Sequence, residues 1–230
     1  MQLVQYTPAT VAYMLFGPWL WVFSGPVLSG GSLLVDDAAV TPAGHCQLEA
    51  WARAYNPGRE LTAVPACNHA GTEYSLGVSD FLDPSSGPLF SLGVKRLWRD
   101  VDQATVELGA SFGAIWNASD SRANTWYFNF PASFALDAEH RGRVHANLGL
   151  LDSSTAGRGP TAGLGIELPC DARSLLLAEV YVQPDHFHLG EMGWRHSLTD
   201  TVSIDLLVGH QGSGVGNLWF TTVGISVPLP

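Results

Sequence analysis

Charge is scarce in this chain. Only 14% of its 230 residues are charged, where a soluble domain carries about 25%, and the deficit argues against a surface turned wholly to water. Basic residues are scarcer still: 11 Lys and Arg stand against 21 Asp and Glu, which excludes a nucleic-acid partner. Three cysteines are too few to build a disulfide scaffold. After residue 40 no apolar run reaches about 18 residues, which excludes a helical membrane bundle. No Lys or Arg precedes Arg53, so the apolar N-terminal stretch has no positively charged flank.

What is present instead is alternation. From Ala104 to Trp116 the residues Val106, Leu108, Ala110, Phe112 and Ala114 fall on one side, and Glu107, Gly109, Ser111 and Gly113 on the other. From Trp126 to Leu136 the residues Phe128, Phe130, Ala132 and Phe134 oppose Tyr127, Asn129 and Ser133. A period of two means strand. Each run is long enough to cross a bilayer at a tilt, which takes roughly 9–11 residues, and Trp116 and Trp126 sit where an aromatic girdle belongs. Residues 45–230 divide into twelve such runs, near 45–55, 60–67, 72–80, 88–98, 103–116, 124–136, 142–151, 161–168, 175–183, 187–197, 202–210 and 218–228. The expected fold is all-β: a closed antiparallel transmembrane β-barrel of twelve strands, an even number that places both ends of the barrel on the periplasmic side. Connections such as Arg99–Asp102 and Asp171–Ser174 read as short periplasmic turns, and Leu82–Gly87, Asn117–Asn124, Asp152–Pro160 and Gln211–Asn217 as longer outer loops.

Residues 1–35 read as a signal-like apolar segment around Leu15–Phe23, trailed by small residues such as Ser29, Gly30 and Gly31. A retained transmembrane helix is the rival reading, but Pro18 and Pro26 interrupt it. Residues 36–44, with Asp36, Asp37, Pro42 and Gly44, read as an N-terminal tail.

The apolar face of the runs is the outward, lipid-facing one, with Arg96 as its main charged exception. A soluble lipocalin-type barrel would show the reverse. The inward, lumen-lining face carries Glu49, Arg53, Glu73, Lys95, Glu107, Glu167, Glu179, Glu191, Arg195 and Asp205. Turns centred on Val101, Arg173 and Asp200 place Lys95 opposite Glu107, Glu167 opposite Glu179, and Arg195 opposite Asp205. Two readings stay open: an interior salt-bridge network that fills a small barrel, and a pore lining. In the second, seven acids against three bases predict a modest cation preference.

Cys46 and Cys67 bracket the first hairpin, and a two-residue turn at Asn56–Pro57 sets them opposite one another, with Arg53 opposite Glu60. In an oxidising envelope that pair forms a disulfide, and Cys170 is left over in a turn. No ligand spacing supports a metal site at His69. His188 and His196 share the outward face of the tenth run, which keeps a lipid-modifying hydrolase as an alternative, but no G-x-S-x-G elbow accompanies them. The expectation is no enzyme and no cofactor. Gly212–Gly216 mimics a phosphate loop, yet no helix pattern follows it, so it reads as a flexible outer loop.

The stretch Asp36-Asp37-Ala38 through Gly44-His45-Cys46-Gln47-Leu48-Glu49-Ala50-Trp51, with Pro65-Ala66-Cys67, resembles the start of proteobacterial outer-membrane proteins of the MetA-pathway-of-phenol-degradation family. Val144-His145-Ala146-Asn147-Leu148-Gly149, Ala178-Glu179-Val180 and Ile204-Asp205-Leu206-Leu207-Val208-Gly209 are similar to the same group. The resemblance implies an outer-membrane channel or transporter for small solutes. Its partners would be membrane lipid, the barrel assembly machinery during biogenesis, and a solute. A non-conducting structural barrel is the alternative. The chain departs from the pattern at Pro228-Leu229-Pro230, where such barrels end in an aromatic residue.

Overall fold

The computed structural model describes residues 32–56, 58–82, 87–99, 105–118, 124–137, 141–213 and 216–230. Twelve strands make up the wall: β1 Cys46–Tyr55, β2 Arg59–His69, β3 Thr72–Asp80, β4 Leu89–Arg99, β5 Val106–Asn117, β6 Asn124–Ala135, β7 Arg143–Ser153, β8 Gly157–Pro169, β9 Ser174–Gln183, β10 Phe187–Ser197, β11 Ser203–Ser213 and β12 Gly216–Leu229. Each pairs antiparallel with its chain neighbours, and β1 closes on β12 from Cys46 opposite Leu229 to Tyr55 opposite Phe220. Closure matters physically because an open edge in hydrocarbon leaves backbone N–H and C=O groups without partners, at several kcal/mol each. Among the described residues no helix is long and apolar enough to cross a membrane.

The alternation is seen as expected. Tyr74, Leu92, Phe112, Leu148, Val180 and Trp219 are each 40% or more exposed and belong to the outward face. Such a band is stable only against lipid. At the girdle Trp116 stacks on Phe90 and Trp126 on Phe112.

The connections depart from expectation. The wall runs further into the loop end than the alternation suggested, so that 154–156, 184–186 and 214–215 are short connections there, beside the longer 81–88 and 118–123. At the end that carries Cys46 and Leu229 (the terminal end), 136–142 and 198–202 are longer. Glycine, serine and asparagine in Asp152–Pro160 and Gln211–Asn217 marked these stretches as loops, but the cross-strand ladder absorbs most of them, as in Asp152 opposite Arg158 and Gln211 opposite Leu218. Loop length therefore does not orient the barrel.

Two registers also differ. Lys95 lies opposite Ser111, not Glu107, with a bulge between Leu97 and Arg99. Glu167 lies opposite Leu177, and Glu179 opposite Gly165. In both hairpins the ladder is centred away from the assumed turn, by four residues at Lys95 and two at Glu167, and an even slip keeps every side chain on its face while changing its partner. The registers of the first and tenth hairpins hold: Cys46 faces Cys67, Arg53 faces Glu60, and Arg195 faces Asp205. The signal-like residues 1–31 and the turn centre Val101 lie outside the described residues.

Candidate functional site

The largest departure from the sequence reading is inside the barrel. Residues 36–44, read from the sequence as an N-terminal tail, lie inside the barrel. Together with Ser32–Val35 they enter the lumen and run along the wall as an irregular segment. At its start Ser32 Oγ donates to Asp205 Oδ2 (2.8 Å), and Arg53 Nη2 donates to the Ser32 carbonyl (3.0 Å). The two carboxylate oxygens of Glu179 on β9 then accept the consecutive N–H groups of Leu34 and Val35, each at 2.9 Å. On β7, Asn147 accepts from Asp36 N–H and donates to its carbonyl. Ser133 on β6 accepts from Ala38 N–H at 2.9 Å. Lys95 on β4 reaches Asp36 (2.7 Å) and Asp37 (3.1 Å). Glu73 on β3 takes both the N–H and the hydroxyl of Thr41, and Asn68 on β2 holds the Thr41 carbonyl. The segment thus starts between β1 and β11 and passes β9, β7, β6, β4, β3 and β2 around the wall. It is an internal collar.

This geometry gives the inward charges their reason. Irregular backbone at membrane depth is tolerated only where protein supplies the partners that water and regular structure do not. Carboxylates accept N–H groups well, with short charge-assisted bonds, so a wall that seats an irregular chain needs acids at stated heights. Space is made in the same way. A Cβ on Gly163 would stand 2.7 Å from Val35 Cγ2, one on Gly165 would stand 3.3 Å from Val35 Cγ1, and one on Gly224 would stand 3.3 Å from Ser32. On β5, Gly109 admits the Ala38 carbonyl and the ring of Pro131 together. These glycines notch the wall where the collar lies against it.

The remaining charges form buried pairs behind the collar. Arg195 donates to both oxygens of Asp205 (2.7 and 2.9 Å) and to Glu167 (3.0 Å). Glu107 pairs with Arg143 at 3.2 Å rather than with Lys95. Arg53 lies 3.6 Å from Glu191 and 4.5 Å over the Phe220 ring. Glu191 faces Glu179 across β9 and β10, so the like-charged pair expected at Glu167 and Glu179 occurs one hairpin later. Ser133 Oγ stands 2.8 Å from His145 Nδ1, and His145 Nε2 stands 3.8 Å from Glu167. All three are buried, and Ser133 already accepts from Ala38, so this trio is part of the collar's seat.

A cavity of about 370 Å³ remains between collar and wall. Its lining runs from Gln47 and Glu73 near the terminal end to Ile115, Tyr181 and Gln183 near the loop end. Charged lining residues are Asp36, Asp37, Glu49, Glu73 and Lys95. Glu107, Glu167, Glu179, Glu191, Arg53, Arg195 and Asp205 are inward but do not line it, because collar contacts and ion pairs absorb them.

Cys46 and Cys67 are joined, closing a link 21 residues apart in sequence, and Cys170 is free and exposed in its turn. Cys67 precedes Asn68, which accepts Gly44 N–H through its carbonyl, so the bridge fixes the root of the collar. Gly44 has a φ of +79°, which favours glycine, where the collar turns into β1. The disulfide occupies the thiols near His69, and among the described residues no cluster of three metal-ligating side chains exists. His188 and His196 do share an outward face but sit near opposite ends of β10. His188 contacts the His186 carbonyl, and His196 contacts Ser174.

Two signals in the sequence could have revealed the collar: inward acids outnumbering inward bases, and glycines recurring on the inward face of β5, β8 and β12. The segment itself has no periodicity to read.

A family model described as Uncharacterised conserved protein UCP029691 matches residues 20–229. The chain belongs to this family. The motif resemblance to MetA-pathway proteins reaches the barrel architecture, while the family shown is this one. No curated protein matches the chain. Among solved structures it is similar to the KdgM porin in complex with disordered oligogalacturonate, with a TM-score of 0.66 and 10% identity over 80% of this chain and 99% of that one. It is also similar to the NanC porin, with a TM-score of 0.60 and 7% identity over 80% of this chain and all of that one. The fold is that of these porins, a closed antiparallel β-barrel.

Proposed function

We propose that this protein is a bacterial outer-membrane channel for small solutes, with a modest preference for cations. The observation that carries the reading is the cavity, whose lining extends from one rim of a closed, lipid-facing barrel to the other. Four carboxylates line it, Asp36, Asp37, Glu49 and Glu73, against one ammonium, Lys95. Acidic linings attract cations and repel anions. The KdgM porin was solved with oligogalacturonate, itself a polycarboxylate; the lining here argues for the opposite sign of solute. In this reading the partners are membrane lipid and, during biogenesis, the barrel assembly machinery. Removal of the signal-like segment falls before Ser32, since a later cut takes away the contacts to Asp205, Arg53 and Glu179. A non-conducting barrel is the second reading, favoured by the collar's occupation of the lumen.

Conductance in planar bilayers under a salt gradient tests both. The expected reversal potential has the sign of cation preference and moves toward zero in Glu49→Gln, which removes one lining charge. Glu167→Gln with Glu179→Gln, at carboxylates that Arg195 and the collar withhold from the cavity, is expected to leave the reversal potential unchanged. Anion preference refutes the proposed sign, and a silent bilayer supports the structural barrel.

A further inference from the structure

The collar has two edges of different character. Val35, Asp37, Ala38 and Thr41 are buried, while Leu34, Asp36, Ala39 and Val40 border the same cavity with more of their surface exposed. We propose that residues 32–44 are a permanently seated constriction, not a plug that leaves on opening, and that Leu34, Asp36 and Val40 on its inner edge determine which solutes pass. The second half of this inference rests on the channel reading above; the first half does not.

Three observations favour a fixed seat. The backbone N–H groups of Leu34, Val35, Asp36, Ala38 and Thr41 are all taken by wall side chains. Withdrawal would exchange these bonds for bonds to water, and those to the Glu73 and Glu179 carboxylates are charge-assisted, the strongest class to give up. Withdrawal would also open the notches at Gly163, Gly165 and Gly224, where the nearest side chains are those of Val35 and Ser32. Finally, the described segment is fixed at both ends. Asn68 and the Cys46–Cys67 bridge hold its exit, while Arg53 and Asp205 hold Ser32.

The inner edge then sets the bore. Leu34 and Val40 present apolar surface, and the Asp36–Lys95 pair is the polar feature beside them. A constriction of this kind passes small solutes with apolar or weakly polar parts and turns back extended, heavily hydrated polyanions, since burying an unpaired charge beside Leu34 and Val40 is costly.

The test is a crosslink. A Cβ at Gly165 stands 3.5 Å from Val35 Cβ, within the range of a disulfide, roughly 3.5–4.5 Å. Val35→Cys with Gly165→Cys, in a Cys170→Ser background, is expected to crosslink in folded protein, read as a mobility shift on a gel alongside heat-modifiable migration. Ser32→Cys with Gly224→Cys provides a second seat should the first pair fail to fold. Failure of folded protein to crosslink at either seat overturns the inference, and this readout needs no conduction. In a conducting protein the crosslinked form is expected to pass the same current before and after reductant, with the Cys170→Ser parent controlling for reduction of the native bridge. A crosslinked form that is shut and reopens on reduction means the collar moves, and the inference fails. Leu34→Ala with Val40→Ala is expected to raise single-channel conductance. Unchanged conductance there overturns the selecting role while the seat stands on its crosslink.

Discussion

The lumen is built differently toward its two ends. From the terminal end up to the waist at Glu179, the inward wall is made of acids, arginines and lysine, nearly all bonded to the collar or to one another. Toward the loop end hydroxyls and aromatics predominate, with Glu60 accepting from Tyr55 and Thr62, and their bonds stay within the wall. Thr62 meets Ser79 at 2.8 Å, and Thr125 donates to Ser153 at 2.8 Å. The same alternating strands carry both halves, so the barrel fold does not explain the difference. The collar does. Where a wall must satisfy a foreign backbone it needs charged acceptors at fixed heights; where it need only fill or wet its own interior, hydroxyl pairs suffice.

Breaking the charged half should therefore cost most. Arg195→Met leaves Glu167 and Asp205 buried without their shared cation, and truncating a buried pair in this way costs about 3–5 kcal/mol. Thr62→Val in the loop half loses one hydroxyl pair, about 1 kcal/mol. Urea unfolding midpoints of the two variants, followed by heat-modifiable migration, measure the contrast, and equal losses would erase the distinction between the halves.

A smaller effect sharpens it from the root of the collar. Replacing Cys46 and Cys67 with alanine removes a cross-link that spans 21 residues and is worth roughly 3 kcal/mol on loop-closure grounds. The loss should appear in the same unfolding assay. Thiol counting on denatured, unreduced wild type should find one reactive cysteine, Cys170, and three would refute the bridge.

How much of this was legible follows from what each feature depends on. Period-two alternation names strands and faces without tertiary information, so the twelve strands, the lipid face and the inward position of residues such as Glu107 and Arg195 could be read directly. Where the ladder is centred on the turn that the sequence marks, the register follows from it, which is why Cys46 opposite Cys67 and Arg195 opposite Asp205 were readable. Lys95 was misassigned because a bulge and a longer connection shift β5, and Glu167 because its ladder slips by two, a change invisible to face assignment. The collar was illegible for a different reason. Its partners come from eight strands between 21 and 173 residues away in sequence, and no local pattern encodes contacts of that range. Only the unexplained surplus of inward acids pointed to a missing occupant.

Amide hydrogen exchange on the folded protein in detergent tests the central claim most directly. With the collar seated on the wall, the N–H groups of Leu34, Val35, Asp36, Ala38 and Thr41 exchange on the slow timescale of the barrel strands. Exchange of these five amides at the rate of an unstructured tail, while the strands remain protected, would contradict the account.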